Sequence, residues 1–137
     1  MGRRADATSG AGSTAGFPNS PDAAAWAEQW AEITAVAREC GRDPAGLTGA
    51  MYLTLSLDAD AALADVRLNA LPERYYNRPA AELRTWQACF AGPETGAGEW
   101  LAGYTAAGAR HLVLRFVGEH ERHLETLADI RATIDTR

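Results

Sequence analysis

The clearest pattern in the sequence is an alternation of side-chain type over residues 47–57. Leucine or methionine occupies every second position from Met51 to Leu57, and threonine, tyrosine or serine stands between them. A period of two places successive side chains on opposite faces of a β-strand. The second face is only weakly polar, which is typical of a strand covered on both sides, as in a parallel sheet. We therefore predict a buried strand here.

Most of the remaining sequence has helical spacing of apolar residues. A second short apolar run, from His111 to Val117, predicts another buried strand. The predicted helices run from Pro21 to Gly41, from Asp58 or Asp60 to Pro72, over residues 80–91, from about Glu94 to Ala107, and from Glu119 through Ile134. Strands separated by long helical crossovers should be parallel and right-handed. Two strands are too few for a sheet that is buried on both faces.

Several residues at the predicted helix ends have the right chemistry for that position. Ser20 suits an N-cap, Pro21 the first helical position and Asp22 the positive end of the helix dipole. Gly41 suits the end of the same helix. Pro72 is expected to interrupt the second helix.

The composition is that of one ordinary globular domain. The 137 residues are 47% hydrophobic and 23% charged, with a net charge of −5, which argues against nucleic acid as a partner. No apolar run approaches the ~20 residues of a membrane span, so no membrane partner is expected. No apolar stretch follows Arg3 and Arg4, so a secretory signal is not predicted and the cytoplasm is the expected compartment.

The N-terminal residues differ in composition from the rest. Residues 7–16 are all small and carry no apolar anchor, which is typical of a linker. We therefore interpret residues 1–16 as a flexible tail and residues 17–137 as one domain.

The cysteines and the large aromatic residues favour structural roles. Cys40 and Cys89 are too few for a disulfide framework and lack metal-ligand spacing, so both are interpreted as buried free thiols. The aromatic residues could line a substrate pocket, but their helical spacing favours core positions. They are Trp26, Trp30, Trp86, Trp100, Tyr75 and Tyr76.

An ordered set of short motifs resembles landmarks of the luciferase-like monooxygenase family. The set consists of Gly2–Asp6 with Phe17–Asp22, the run from Trp30 that ends in Gly-Arg-Asp-Pro at Pro44, Tyr75–Asn77, Gly92–Glu94, and Tyr104–Gly108 followed by His111–Leu114. Residues 7–16 replace a short Gly-Trp of the family pattern. The resemblance covers roughly residues 1–6 and 17–134, and the order of the set, more than any one motif, carries it.

The resemblance implies an α/β fold of the (β/α)₈ (TIM-type) barrel class and a flavin chemistry. Members of the family use FMN or the deazaflavin coenzyme for oxygenation or hydride transfer. The chain resembles only the C-terminal part, a partial barrel with a βαβα portion and extra helices, so the two predicted strands would be the seventh and eighth. The family's phosphate-binding glycine loop lies upstream of the part resembled, so we expect this chain alone to bind either cofactor weakly.

The candidate site residues lie at the carboxyl ends of the predicted strands, where TIM-type barrels carry their chemistry. Ser56 and Asp58 follow the first strand, and Arg115 with Phe116 ends the second. Asp58 could serve in a site or cap the next helix. Arg115 could bind an anionic group, pair with an acidic side chain, or lie at a solvated strand end.

The remaining candidates are weaker. By the resemblance, Phe17 and Pro18 follow the sixth strand and would face the cofactor mouth of a complete barrel, although the insert before them is expected to detach them. His120 and His123 could form a metal pair, but no third ligand is near, so no metal site is predicted and a solvated helix start is favoured. His111 is interpreted as structural.

Two functions remain open from the sequence. The first is a luciferase-like flavin- or deazaflavin-dependent monooxygenase or oxidoreductase fragment that acts on a small organic substrate. The alternative is a non-catalytic half-barrel module that self-associates or binds a protein partner; a piece of a longer protein is a third interpretation. Exposed strand edges and an uncovered sheet face predict a homo-oligomer. That face would consist of Leu53, Leu55, Leu57, Leu112, Leu114 and Phe116, or of the alternate set.

Overall fold

The computed structural model describes residues 15–16, 20–85 and 87–135, which form a parallel sheet with helices on both faces. The strands are β1 (Ala15–Gly16), β2 (Thr48–Leu57), β3 (Ala88–Gly92) and β4 (His111–Phe116). The helices are α1 (Ala23–Glu39), α2 (Ala61–Tyr76), α3 (Ala80–Leu83), α4 (Glu94–Ala106) and α5 (His120–Asp135), and a 3₁₀ turn, Pro44–Gly46, precedes β2. No helix in these ranges is long and apolar enough to cross a membrane.

Strand β2 lies at the centre of the sheet. It pairs in parallel with β3 along Leu53–Leu57 and with β4 along Ala50–Leu55, while Ala15 and Gly16 of β1 pair with its first two residues. Because β3 and β4 both pair with residues 53–55, they lie on opposite edges of β2. The two predicted strands and their parallel arrangement are confirmed.

The prediction of one helix over residues 80–91 is wrong. Helix α3 covers only Ala80–Leu83, and the residues from Ala88 to Gly92 form β3. The apolar residues here fit either period, and short apolar runs do not distinguish a strand from a helix. The free edge of β2 decides between them, because its backbone groups need a hydrogen-bonded partner.

One face of the sheet, here called the Leu53 face, contains the main core. Leu53 and Leu55 are fully buried. They pack with side chains of α1, α4 and α5, including Trp26, Leu101 and Ile130, and with their partners in register on β3 and β4. The interpretation that the face formed by Leu53, Leu55, Leu57, Leu112, Leu114 and Phe116 lacks its wall is therefore wrong, because helices of the same chain cover it.

The side chains of the other face, here called the Thr54 face, alternate along the strands with those of the Leu53 face. The Thr54 face consists of Tyr52, Thr54 and Ser56 on β2, with Cys89 on β3 and Val113 and Arg115 on β4 as their register partners. Helix α2 contacts β2 and β3, and its buried residues Ala64 and Leu68 lie outside the main core. Thr54 and Ser56 are fully buried, whereas Tyr52 is 42% exposed. The Thr54 face is thus only partly covered.

In α1 and α2 the structure departs from the predicted roles of Ser20 and Pro72. Helix α1 begins after Asp22, whose carboxylate accepts from the Ala25 N–H, so Asp22 is the N-cap and Ser20 is not. Its end at Gly41, which has φ +73°, is as predicted. Pro72 does not interrupt α2. The proline is buried inside the helix, which continues to Tyr76.

The predicted burial of the thiols and aromatic rings is right only in part. Cys40, the C-cap of α1, is exposed, and Cys89 is half-buried. Trp26 is fully buried and Trp30 and Trp100 pack against the core, but Tyr75 is 75% exposed. Trp86 lies outside the described residues.

We predict that Gly49→Ala destabilises the protein. A Cβ atom at Gly49 would lie 2.9 Å from the Trp26 ring. That ring cannot easily move, because its indole N–H donates to the Ala50 carbonyl at 3.1 Å and it stacks on Trp30. Overpacking of this kind costs about 1–3 kcal/mol of the free energy of unfolding, measured by urea denaturation.

The matched control for this test is Gly46→Ala. No atom lies within 4 Å of a Cβ there, so its free energy of unfolding should change by no more than about 0.5 kcal/mol. Equal stability of the two variants would contradict the prediction.

We predict that Tyr104→Phe removes part of the alkaline destabilisation. Tyr104 is fully buried, its hydroxyl has no partner among the described residues, and burial raises its pKa to about 12. In the unfolded chain tyrosine ionises at about pH 10. The contribution of Tyr104 to the free energy of unfolding is therefore fully present below that pH, and it is lost as the pH rises through the pKa of the folded state. Urea midpoints of wild type and variant at neutral and alkaline pH measure the difference.

The exposed Tyr75→Phe is the control and should follow wild type. At neutral pH Tyr104→Phe should be at least as stable as wild type, because it removes an unpaired buried hydroxyl. A variant that loses as much stability as wild type at alkaline pH would refute this explanation.

Candidate functional site

The first candidate residue, Ser56, is fully buried near the carboxyl end of β2 on the Thr54 face. Its hydroxyl, like that of Thr54, has no hydrogen-bond partner among the described residues. Buried polar groups are almost always paired, so two such hydroxyls on one face are unusual. Because both are fully buried, a ligand at the surface does not reach them in this arrangement.

Asp58 orders the turn that leads into α2. Its Oδ1 accepts from the Asp60 N–H at 2.9 Å, and its Oδ2 accepts from Arg67 at 2.9 Å. The backbone hydrogen bond from Asp60, and then Arg67, lower the pKa of Asp58. Asp60 is the N-cap of α2, since its carboxylate accepts from the first N–H groups of the helix. Both oxygens of Asp58 are therefore engaged, one by the backbone of the turn and one by the Arg67 side chain.

His123 is buried, so the interpretation of a solvated helix start is wrong at this residue. The Leu57 N–H donates to His123 Nε2 at 3.3 Å, and Nδ1 faces the Glu119 carbonyl. One accepting and one donating nitrogen correspond to a neutral imidazole with its proton on Nδ1. The Leu57 N–H at the end of β2 needs an acceptor, and His123 Nε2 provides it. Nothing in the sequence indicates that His123, and not His120, takes this role.

The described residues contain no group of three or more His, Cys, Asp or Glu side chains that could hold a metal ion. Both ring nitrogens of His123 are already engaged with the backbone. In this arrangement neither ring nitrogen of His123 is free to ligate a metal ion.

Arg115 lies among aromatic and amide groups, here called the Arg115 cluster and consisting of Arg115, Tyr52, Tyr76 and Gln87. Nη1 donates to the Tyr76 hydroxyl at 3.1 Å, and Nη2 donates to Gln87 Oε1 at 3.4 Å. The guanidinium carbon lies 5.6 Å from the Tyr52 ring centroid and 5.9 Å from that of Tyr76. Both distances are in the range of cation–π contacts.

The electrostatics of the cluster follow from the arginine. The hydrogen bond from Arg115 lowers the pKa of Tyr76, against the opposing effect of partial burial. Cys89 is the register partner of Thr54, and burial raises the pKa of its thiol. A thiol with a raised pKa is a poor nucleophile at neutral pH.

The Thr54 face lies opposite the helices of the main core. Cys89, Thr54 and Arg115 form one row across the three strands, because both pair in register with Thr54. Helices α1, α4 and α5 cover the opposite face, as the outer helices of a (β/α)₈ barrel do. The sequence indicated Ser56 and Arg115 as site candidates and favoured a core position for Tyr76, but it gave no sign of Thr54 or Tyr52. Only the register and the position of α2 bring Tyr52, Thr54 and Tyr76 to this face.

Two clefts lie away from the Arg115 cluster. One of about 350 Å³ between α4 and α5 is lined by Glu94, Glu99 and Asp129 and by no basic residue. The other, of about 220 Å³, lies at the carboxyl ends of β2 and β3 and is lined by Asp58 and Glu94 as well as Arg122.

Neither cleft fits the phosphate of FMN or of a deazaflavin coenzyme. A phosphate is favoured by arginine, lysine or free backbone N–H groups and is repelled by carboxylates. The larger cleft offers only carboxylates as charged groups, and the smaller has two of them beside one arginine. Phe17 and Pro18, the predicted cofactor contacts, lie outside the described residues.

Comparison with known proteins identifies the fold. No family model matches the sequence, and no curated protein sequence matches it. A long-chain alkane monooxygenase (LadA) superposes with a TM-score of 0.61 over 90% of this chain, at 12% identity. The chain therefore shares an α/β fold with part of that structure.

Two further solved structures are similar to the chain in fold. An F420-dependent secondary alcohol dehydrogenase, in complex with an F420-acetone adduct, has a TM-score of 0.54 over 74% of the chain at 15% identity. A coenzyme F420 dependent tetrahydromethanopterin reductase from Methanopyrus kandleri has a TM-score of 0.53 over 77% at 16% identity. The predicted fold class is thus confirmed.

The chain spans 36%, 36% and 40% of the lengths of these three structures. Identities of 12–16% show the fold alone. Which part of the barrel the chain represents stays a prediction.

Proposed function

We propose that the chain is a fragment of a luciferase-like barrel that takes part in flavin- or deazaflavin-dependent oxidoreduction of a small organic substrate in the cytoplasm. The reaction class would be monooxygenation or hydride transfer, by analogy with the enzymes that share the fold. The observation that carries the proposal is the state of the Thr54 face. It is polar and partly open at Arg115 and the exposed Tyr52, whereas helices seal the Leu53 face.

In this proposal the chain contributes the substrate side of the site. The carboxylates of the two clefts disfavour a cofactor phosphate. Most of the binding energy for the cofactor would therefore come from a second copy of the chain or from a partner. FMN or the deazaflavin, when bound, would supply the redox chemistry, and the Thr54 face would orient the substrate.

We expect FMN and the deazaflavin coenzyme to bind the isolated chain weakly. A titration followed by quenching of cofactor fluorescence should not saturate at low micromolar concentration, because the carboxylates around the clefts repel the phosphate. Saturation in that range, lost in Arg122→Gln and kept in the exposed Arg38→Gln, would contradict the prediction. It would mean that the cleft at the ends of β2 and β3 holds the phosphate.

Turnover tests the proposed function itself. Oxidised deazaflavin coenzyme is supplied with a panel of small alcohols, and reduction of the coenzyme is followed by absorbance for each chromatographic species of the chain. Reduced FMN and dioxygen are supplied with a panel of alkanes, and the oxygenated product is measured for each species. Turnover confined to an assembled species supports the proposal. No turnover by any species favours the alternative.

The alternative is a non-catalytic half-barrel module that self-associates or binds a protein partner. Strand β4 favours it, because among the described residues β4 pairs only with β2 and none of its side chains is fully buried. An unpaired strand edge is a template for pairing with another chain. On this reading β4, and not the apolar Leu53 face, forms the interface.

We predict a homodimer or a higher oligomer, measured by light scattering coupled to gel filtration. Val113→Lys should shift the population toward monomer, because lysine on an edge strand opposes edge-to-edge pairing. Val66→Lys adds the same charge on α2, where Val66 is 66% exposed, and should leave the assembly unchanged. A stable folded monomer of 14.6 kDa for wild type would refute the prediction.

A further inference from the structure

Arg115 carries a positive charge that no carboxylate neutralises within the described part of the chain. The ion pairs found there are Arg67–Asp58, Arg78–Glu82 and Arg84–Asp65. The groups that face Arg115 are Tyr52, Tyr76, Gln87 and the Cys89 thiol. Because an unneutralised charge that is partly removed from water is costly, an anion at this position would be favourable.

The guanidinium is held in a fixed orientation. The rings of Tyr52 and Tyr76 lie against it, and two of its five N–H groups have partners, one of them at a long 3.4 Å. Nε is buried and has no partner among the described residues. Side chains that are already ordered lose little entropy when a ligand binds.

The cluster is open to solvent at its aromatic rim. Tyr52 is 42% exposed and Tyr76 is 38% exposed. The hydrogen bond between Arg115 and Tyr76 also lies at the surface. A small molecule can therefore reach the Nη groups without displacing α2.

We propose that the Arg115 cluster binds a small organic carboxylate. The planar guanidinium matches the two oxygens of a carboxylate, and one arginine balances one negative charge. The Tyr76 hydroxyl accepts from Arg115, so its own O–H is able to donate to a carboxylate oxygen. The exposed tyrosine rings offer an apolar surface to the organic part of the ligand.

The Arg115 cluster lies on the Thr54 face, but its binding of a carboxylate is tested separately from the proposed oxidoreduction. The cluster contains no element of either cleft, and binding of a carboxylate there requires neither cofactor nor turnover. A chain that bound carboxylates without any redox activity would support the inference and refute the proposed function.

The test uses 4-fluorobenzoate as the probe and ¹⁹F NMR as the readout. The full chain is titrated with this carboxylate and, separately, with the uncharged 4-fluorobenzamide. We expect a saturable shift at millimolar concentrations for the carboxylate and none for the amide. No shift with the carboxylate, or an equal shift with both ligands, would overturn the proposal.

Variants locate the site. Arg115→Gln should weaken binding of 4-fluorobenzoate at least about tenfold, since it removes a charge-assisted hydrogen bond. Tyr76→Phe keeps the ring and removes the hydroxyl, so it should weaken binding by a smaller factor. Arg38→Gln, on an exposed residue at the end of α1, is the matched control and should bind as wild type does.

Circular dichroism shows whether Arg115→Gln folds, and a variant that does not fold is replaced. In that case Arg115→Lys replaces it, because lysine keeps the charge but loses the planar fork. Binding weakened about tenfold in that variant supports the site. Wild-type affinity in the folded Arg115 variant, or equal loss in Arg38→Gln, would overturn it.

Discussion

The pairing of β2 with a strand on each of its edges is the constraint on which the rest of the structure depends. Ten residues of one strand provide the register for both β3 and β4. Because all pairings are parallel, the connections must cross over, and helices then lie on both faces of the sheet. The core, the row of side chains on the Thr54 face and the free edge of β4 all follow from this arrangement.

The alternation along β2 also separates two kinds of chemistry. Odd positions such as Leu53 face α1, α4 and α5 and form an apolar core. Even positions such as Thr54 face a region that α2 covers only in part, so hydroxyls and one arginine remain there without strong partners. A change of one residue in register would exchange the two sets and destroy both the core and the site.

The fold is similar to that of oxidoreductases, whereas the charges of the side chains indicate where an anion would bind. The similarity to three oxidoreductases concerns the path of the backbone, at identities too low to transfer a residue role. The side chains favour an anion at Arg115 and disfavour one in the acidic clefts. In a complete assembly, a division of labour between this chain and a second polypeptide would reconcile these observations.

The sequence by itself determined the features that depend on local period and capping. The strand over residues 47–57, the helix end at Gly41 and a cap at Asp58 or Asp60 were all predictable, because each is encoded within a few neighbouring residues. Tertiary structure alone decided that residues 88–92 form a strand, that His123 is buried, and that Arg115 meets Tyr52 and Tyr76. Each of these depends on a partner distant in sequence: a free strand edge, an unpaired Leu57 N–H, or a ring carried by another element.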